Sequence, residues 1–170
     1  MGSVILGLDL SATATAAVSV PLDWDGQWSR VHSVVVGEKL RHDASDAERA
    51  RRCETIASRL VAFAQAERAT VAFIEGYAFS QHSAAHTLAE VGGVVRIELI
   101  RAGIEIRTAN MGTSRRLLLG KCPKGAKVAV YAALKAAGAT FETLDESDAF
   151  AAANLGLSEL GGYCFCQVAA

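Results

Sequence analysis

The sequence predicts an α/β domain built on a mixed sheet of five strands, with helices on both faces. Three apolar, strand-like runs with short connections open the chain and indicate an antiparallel meander. Helix-like and strand-like segments then alternate, which is typical of parallel strands joined by right-handed crossovers. At 170 residues the chain fits one domain, residues 1–170, that buries its core without disulfide or metal support.

The predicted meander comprises residues 4–9, 13–20 and 28–36. The first two runs are almost continuously apolar or β-branched, and Asp23 and Gly26 mark a turn before the third. Neighbouring strands with short connections pair antiparallel, because a parallel pair needs a long crossover. The first half of the predicted sheet is therefore antiparallel.

The crossover part begins at Ser45 and Glu48, whose spacing is that of a capping box and predicts the start of a helix. A strand over residues 71–74 follows and ends at Glu75, and a second helix covers residues 84–102. The remaining predicted elements are a strand over 104–108, a basic loop, and helices over 124–137 and 145–160, the last ending at Gly161 and Gly162.

The helix over 84–102 carries apolar residues on more than one face and two glycines in its middle. Glycine costs about 1 kcal/mol relative to alanine in a helix, so the pair indicates close approach of another backbone. We expect one side to pack on the sheet and the other on the same helix of a second subunit. Tight packing within one chain would also explain the glycines. The predicted dimer interface comprises Leu88, Val91, Gly92, Val95 and Leu99.

Charge is unevenly distributed, although the net charge is only −1. Between Arg96 and Lys127 the chain has eight basic residues and two acids, whereas beyond Lys127 it has one lysine and five acids. This pattern indicates a phosphate-attracting surface beside a carboxylate pocket, with ordinary solvated helix faces as the alternative.

Membrane and secreted classes are not indicated by the sequence. No apolar run reaches the length of a membrane span and no signal-peptide pattern opens the chain, so we expect a cytoplasmic protein. The four cysteines, including Cys164 and Cys166, lack the spacing of a structural zinc site, and we expect free thiols.

Four acids occupy positions from which their side chains can converge. Asp9 and Glu75 each end a strand, where polar residues of α/β domains face the ligand crevice. Asp145 and Asp148 share one face at the start of the last helix, although an aspartate there can also serve as a helix cap. Together they form the oxygen-rich set that two magnesium ions need for in-line phosphoryl displacement, and manganese is expected to substitute.

Four motifs carry a resemblance to a known family: GLDLS at 7–11, IEGY at 74–77, GKCPKGAK at 120–127 and DESDA at 145–149. In this order they resemble the RuvC family of Holliday junction resolvases, most closely its phage-encoded members. The resemblance implies an RNase H-like fold and two magnesium ions bound by Asp9, Glu75, Asp145 and Asp148. It also implies a homodimer that nicks opposed strands of branched DNA at a four-way junction. We expect hydrolysis that leaves a 5′-phosphate and a 3′-hydroxyl, without a nucleotide cofactor.

The resemblance also assigns DNA contacts. Lys127 matches the family lysine near the scissile phosphate best, and Lys124 second. The family places a base-stacking aromatic at the position of Ala78, so that Tyr77 or Phe79 would take that part here. A second departure is Leu10-Ser11, where the family has proline or glycine. The predicted DNA-binding residues are Tyr77, Phe79, Arg115, Arg116, Lys121, Lys124 and Lys127.

Three other functions fit parts of the pattern. The same metal chemistry would serve an RNase H-type enzyme that cuts RNA–DNA hybrids, and a scaffold could bind branched DNA without cutting it. The first strand also resembles the phosphate-binding start of actin-like ATPases and sugar kinases, but that fold needs a second lobe that 170 residues cannot supply.

Overall fold

A computed structural model describes residues 2–76 and 84–166 of the chain. Five strands form one mixed sheet: β1 (Val4–Asp9), β2 (Thr15–Pro21), β3 (His32–Val36), β4 (Ala69–Glu75) and β5 (Glu105–Ala109). The helices are α1 (Asp46–Ala66), α2 (Ala84–Arg101), α3 (Met111–Leu119), α4 (Ala126–Ala136) and α5 (Leu144–Leu160). None of these helices is long and apolar enough to cross a membrane.

The strand order is β3-β2-β1-β4-β5, so β1 lies at the centre of the sheet. β1 pairs antiparallel with β2, and β2 pairs antiparallel with β3. β4 pairs parallel with β1 and with β5. The carboxyl ends of β1, β3, β4 and β5 therefore lie at one edge of the sheet, which we call the carboxyl edge.

Helices cover both faces of the sheet, as the sequence predicts. One face packs on α1 and α2 and contains Leu6 and Leu8 of β1. The other packs on α5, with α3 and α4 against α5, and contains Ile5 of β1 and Phe73 of β4. A Cβ atom at Gly7 would lie 1.9 Å from the carbonyl oxygen of Ala149, so α5 crosses β1 closer than any side chain would permit.

Two predicted segments differ from the structure. Residues 28–36 do not form one strand, because Trp28–Arg30 is a 3-10 turn before β3. The Trp28 indole donates to the carbonyl oxygen of Ala137 at 2.7 Å and its ring lies 5.1 Å from that of Phe150, so tertiary contacts fix the turn. The predicted basic loop is largely helix α3, whose start is capped by the Asn110 side chain.

The predicted dimer interface is wrong for three of its residues. Val91, Val95 and Leu99 are completely buried against the sheet and α1 within the chain. Leu88 packs partly on the same cluster and Gly92 is buried. Within the chain no backbone approaches Gly93 closely, because an added Cβ there would meet no atom within 4 Å. The open side of α2 carries Gly93, Ile97 and Ile100 instead, with the isoleucines 51% and 61% exposed.

α5 begins with a capping box whose residues, Thr143 and Glu146, are not among the predicted metal ligands. Thr143 accepts a hydrogen bond from the Glu146 backbone at 3.1 Å, and Glu146 accepts from the Thr143 backbone at 2.8 Å. Ser33 of β3 donates to the other Glu146 carboxylate oxygen at 2.7 Å and so ties the helix to the sheet. Asp145 and Asp148 are therefore not needed as caps and remain available for chemistry.

Replacing Thr143 with alanine should lower the free energy of unfolding by about 1 kcal/mol, because the helix loses its capping hydroxyl. Urea unfolding with and without the substitution measures the difference. Ser158→Ala, at an exposed position of the same helix, is the matched control and should leave stability nearly unchanged or slightly raised. Equal stability of Thr143→Ala and wild type would contradict the cap.

Candidate active site

Asp9 and Glu75 lie side by side at the carboxyl edge. β1 and β4 are parallel neighbours with Leu8 opposite Ile74, and the two acids follow directly. Side chains alternate along a strand, so Asp9 shares the face of Ile5 and Gly7, and Glu75 shares the face of Phe73. Both acids therefore point to the side of the sheet that α5 covers.

The ammonium group of Lys127, in α4, connects three of the predicted acids. Its Nζ lies 2.8 Å from an oxygen of Asp9, 2.6 Å from one of Asp145 and 3.3 Å from one of Asp148. The first turn of α5 thus faces the end of β1, as the spacing of the two helical aspartates predicts. Acids from β1 and α5 and the lysine from α4 form one cluster.

Arg115, in α3, belongs to the same cluster. Its Nε donates to one oxygen of Asp148 at 3.0 Å and its Nη2 to the other at 2.5 Å, which is bidentate pairing. The Asp148 side chain is only 1% exposed. Arg115 was predicted as a DNA contact, and the structure places it on a buried carboxylate of the site. Its position in a segment predicted to be a loop concealed this pairing.

Burial raises the pKa of two of the acids. The pKa of Asp9 lies above its usual value because burial outweighs the hydrogen bond from Lys127, and the nearby Asp148 and Asp145 add to the shift. The pKa of Glu75 is raised by burial and then by the charge of Asp9. Both carboxylates are thus costly to ionise in the metal-free protein, which is common at functional sites.

In Lys127 and Arg115 the shift of the pKa favours the charged form, whereas in Asp9 and Glu75 it favours the neutral form. Burial alone would lower the pKa of Lys127, but hydrogen bonds to Asp145 and Asp9 outweigh it and raise the pKa. The hydrogen bonds to Asp148 raise the pKa of Arg115 in spite of burial. Both side chains therefore remain charged at neutral pH and partly neutralise the acids.

Backbone contacts hold the ends of both strands. Arg96 of α2 donates to the carbonyl oxygen of Glu75 at 3.1 Å and to that of Gly92 at 3.1 Å, which connects the end of β4 to α2. After β1, the backbone of Ser11 donates to the Thr15 hydroxyl at 2.9 Å. Sequence patterns did not predict this role of Arg96, because the atoms of Glu75 and Gly92 that it contacts belong to the backbone.

The donor set fits divalent cations. Asp9, Glu75, Asp145 and Asp148 supply oxygen ligands only, which magnesium prefers, and they outnumber the cations Lys127 and Arg115. Within residues 2–76 and 84–166, no three His, Cys, Asp or Glu side chains are arranged to hold a metal ion as they stand. A bound cation would compete with the Lys127 ammonium for the oxygens of Asp9, Asp145 and Asp148.

Replacing Glu75 with glutamine should stabilise the protein in chelator at neutral pH. A raised pKa means that the folded protein holds a proton more tightly than the unfolded chain. This contribution is complete below the ordinary value of 4.5 and is lost as the pH rises through the folded pKa. Glutamine does not ionise, so its advantage should be largest near pH 7 and vanish towards about pH 4.

Thermal unfolding of both proteins across this pH range measures the effect of Glu75→Gln. Glu54→Gln, an exposed change on α1, is the control and should show no such trend. An advantage that grows as the pH falls would contradict the raised pKa of Glu75.

Three of the remaining predicted DNA contacts belong to the residues that the structure describes. Arg116, Lys121 and Lys124 are exposed, at the end of α3 and in the segment that leads to α4 and Lys127. Tyr77 and Phe79 lie outside the described residues. Cys164 is half-buried, Cys166 is exposed, and both are free thiols, as is the buried Cys53.

Comparison with known proteins supports the fold through structure and not through sequence. No family model and no curated protein matches the sequence. RuvC of T. thermophilus in complex with a Holliday junction substrate matches with a TM-score of 0.67 and 17% identity over 94% of this chain and 96% of that chain. A Thermus thermophilus RuvC structure matches with a TM-score of 0.65 and 18% identity, covering 94% and 97%. The chain therefore has the RNase H-like fold of RuvC.

Proposed function

We propose that this protein is a metal-dependent endonuclease that resolves four-way DNA junctions by paired nicks. The observation that carries the proposal is the convergence of Asp9, Asp145 and Asp148 on Lys127, beside Glu75 at the carboxyl edge. The RuvC-like fold supports it, since one of the similar structures is a RuvC bound to a Holliday junction substrate.

Asp9, Glu75, Asp145 and Asp148 would hold two magnesium ions, and manganese would serve in their place. When bound, the ions would stabilise the attacking and leaving oxygens of an in-line displacement at phosphorus. The ionised carboxylates of Asp9 and Glu75 are poorly solvated because they are buried, so a bound cation would stabilise their charge. The two strands hold these acids on a rigid backbone, which keeps the ligands in place.

Lys127 would stabilise the charge of the scissile phosphate. It is the only lysine whose ammonium group contacts the acid cluster in the described part of the chain. A fixed positive charge there would stabilise the negative charge that builds on the phosphoryl oxygens. Arg115 acts through Asp148, since its two hydrogen bonds fix the orientation of that carboxylate.

The exposed side chains of Arg116, Lys121 and Lys124 would guide and position the DNA backbone. They lie in and after α3, along the same chain segment that delivers Arg115 and Lys127 to the site. Contacts of this kind to phosphates carry no sequence information and fix the register of the duplex. DNA that crosses this surface would thus present a phosphodiester to the acids.

A homodimer is part of the proposal, because symmetric cutting of opposed strands needs two identical sites. The exposed stripe of α2, formed by Gly93, Ile97 and Ile100, replaces the interface that the sequence predicts. These residues lie on one helix face, and Gly93 leaves room for a second helix. Two copies that place these stripes against each other about a two-fold axis would bury both isoleucines.

Ile97→Glu/Ile100→Glu should shift the protein from dimer to monomer in sedimentation velocity, because the stripe would then bury charge. Val128→Glu, at an apolar position of α4 that is 58% exposed, is the control and should leave the dimer intact. A double variant that sediments as wild type would exclude this stripe as the interface.

A gel assay of purified protein tests the proposed activity on a labelled four-way junction, a matched linear duplex and an RNA–DNA hybrid. Each substrate is incubated with magnesium, manganese or chelator. Paired, metal-dependent nicks on opposed strands of the junction are expected. Cutting of the hybrid instead would indicate an RNase H-type enzyme, and tight junction binding without cleavage in either metal would indicate a scaffold.

A further inference from the structure

A second basic feature lies away from the acid cluster, between the segment after β3 and the starts of α1 and α2. It is an open pocket of about 470 Å³ lined by Leu40, Arg41, His42, Ala44, Arg49, Arg52 and Thr87. The lining holds three arginines and a histidine and no carboxylate. A concave surface of this composition is suited to an anion.

Arg52 is the unusual member of the lining. The residue is only 7% exposed, and its Nε is a buried donor without a hydrogen-bond partner in the described structure. No carboxylate of the described residues pairs with it within 4.0 Å. A buried N–H donor without a hydrogen-bond partner destabilises the folded state, so such a group normally has a partner. The pocket beside it is where that partner would bind.

Arg49 and Arg41 complete the basic wall. Arg49 donates through Nε and Nη2 to the carbonyl oxygen of Ala44, at 3.1 and 2.9 Å, which fixes its side chain on the pocket wall. Its Nη1 lies 3.8 Å from Asp46, and Arg41 lies 3.8 Å from Asp43 and 3.9 Å from Glu48. These ion pairs are long and exposed, so they neutralise the arginines only weakly.

The pocket lies at the same edge of the sheet as the acids. Its first residues follow β3, whose carboxyl end shares the carboxyl edge with Asp9 and Glu75. A Cβ at Gly37 would lie 2.3 Å from the carbonyl oxygen of Thr13, so the segment after β3 packs on the turn that follows Asp9. The acids face α5, whereas the pocket lies on the side of α1 and α2. A chain of phosphates across this edge could reach both.

We infer that this pocket binds a phosphate group, and specifically a backbone phosphodiester of the DNA strand that enters the acid cluster. The planar guanidinium of Arg52 offers the donors, and the charges of Arg49 and Arg41 favour an anion over a neutral ligand. The pocket would hold the strand at a second point and so fix its direction across the site. The DNA assignment rests on the proposed function, whereas the phosphate chemistry rests on the pocket alone.

Three variants test the pocket. Arg52→Lys keeps the charge but loses the planar donor group, and Arg41→Gln/Arg49→Gln removes two exposed charges without touching the core. Arg59→Gln, exposed on the same helix and away from the pocket, is the matched control. Circular dichroism verifies that each variant is folded, and the surface double variant decides the test if Arg52→Lys is unstable.

The first measurement is the affinity for a labelled four-way junction in chelator, over a salt series. We expect Arg52→Lys to weaken binding about tenfold with an unchanged salt slope. The double variant should weaken binding and reduce the slope by about 0.9, the value for one lost phosphate contact. Arg59→Gln should bind as wild type. The second measurement is the thermal shift caused by inorganic phosphate relative to chloride at equal ionic strength.

The outcomes separate the sources of the phosphate. If Arg52→Lys and the double variant bind the junction more weakly, while Arg59→Gln binds as wild type, the result supports a DNA phosphodiester as the ligand. Unchanged junction binding, together with phosphate stabilisation of wild type but not of Arg52→Lys, would assign the pocket to a small phosphate and overturn the DNA assignment. Unchanged binding without any phosphate effect would overturn the site altogether. If wild type binds junctions no better than linear duplex, the proposed function fails. The same comparison of variants on linear duplex then still tests whether the pocket binds a DNA phosphate.

Discussion

Replacing Asp9 with asparagine should reduce junction cleavage by at least about a thousandfold, equivalent to a loss of about 4 kcal/mol of transition-state stabilisation. Asp9 ends the central strand and contacts Lys127 at 2.8 Å, and its side chain is only 11% exposed. The initial rate of cutting of a labelled junction in magnesium measures the effect.

Junction binding in chelator should survive the Asp9→Asn change, since asparagine has nearly the shape of aspartate and removes a negative charge from the DNA surface. Glu54→Gln, an exposed acid-to-amide change on α1, is the control and should cut at the wild-type rate. Full activity of Asp9→Asn would exclude Asp9 as a metal ligand. Loss of both binding and folding would make it a structural residue.

Replacing Arg115 with methionine should have the largest effect on stability, a loss of about 3 kcal/mol in chelator. The change leaves the Asp148 carboxylate, 1% exposed, without its bidentate partner. Among the described residues, Lys127, at 3.3 Å, is then the one cation that still forms an ion pair with Asp148. Cleavage should fall as well, because Asp148 loses the contact that orients it. Urea unfolding and cleavage rates give the two effects separately.

A double-mutant cycle isolates the Arg115–Asp148 pair. Adding Asp148→Asn to Arg115→Met removes the orphaned charge and should recover part of the lost stability, with a coupling energy of about 1–3 kcal/mol. Arg116→Met is the control, because the next residue of α3 is exposed and makes no such pair. Purely additive effects would show that the bidentate contact does not stabilise the protein.

The fold was predictable because hydrophobic periodicity determines it. The continuous apolar runs of β1 and β4 and the capping box at Ser45 depend on residues close in sequence, and the structure confirms these elements. The 3-10 turn at Trp28 was not predictable, because contacts with Ala137, at the end of α4, and with Phe150 of α5 stabilise it. Local pattern cannot report contacts of that kind.

The acids of the site were easier to predict than the cations around them. Asp9 and Glu75 end apolar strands, which gives a positional signal, and the spacing of Asp145 and Asp148 gives another. No positional signal in the sequence marked Arg115, because its contact with Asp148 depends on the packing of α3 against α5. The exposed face of α2 was misassigned for a similar reason, since a helix that is apolar on more than one face does not reveal which face meets the sheet.

Cutting of a supercoiled plasmid that extrudes a cruciform tests the central claim most directly. Two coordinated nicks on opposed strands within one binding event release linear DNA, whereas independent nicks give open circles first. The proposed dimer of two acid clusters predicts linear product from the earliest times in magnesium, and none in chelator. Open circles that accumulate before any linear DNA, or an uncut plasmid in magnesium and manganese, would contradict a junction-resolving nuclease.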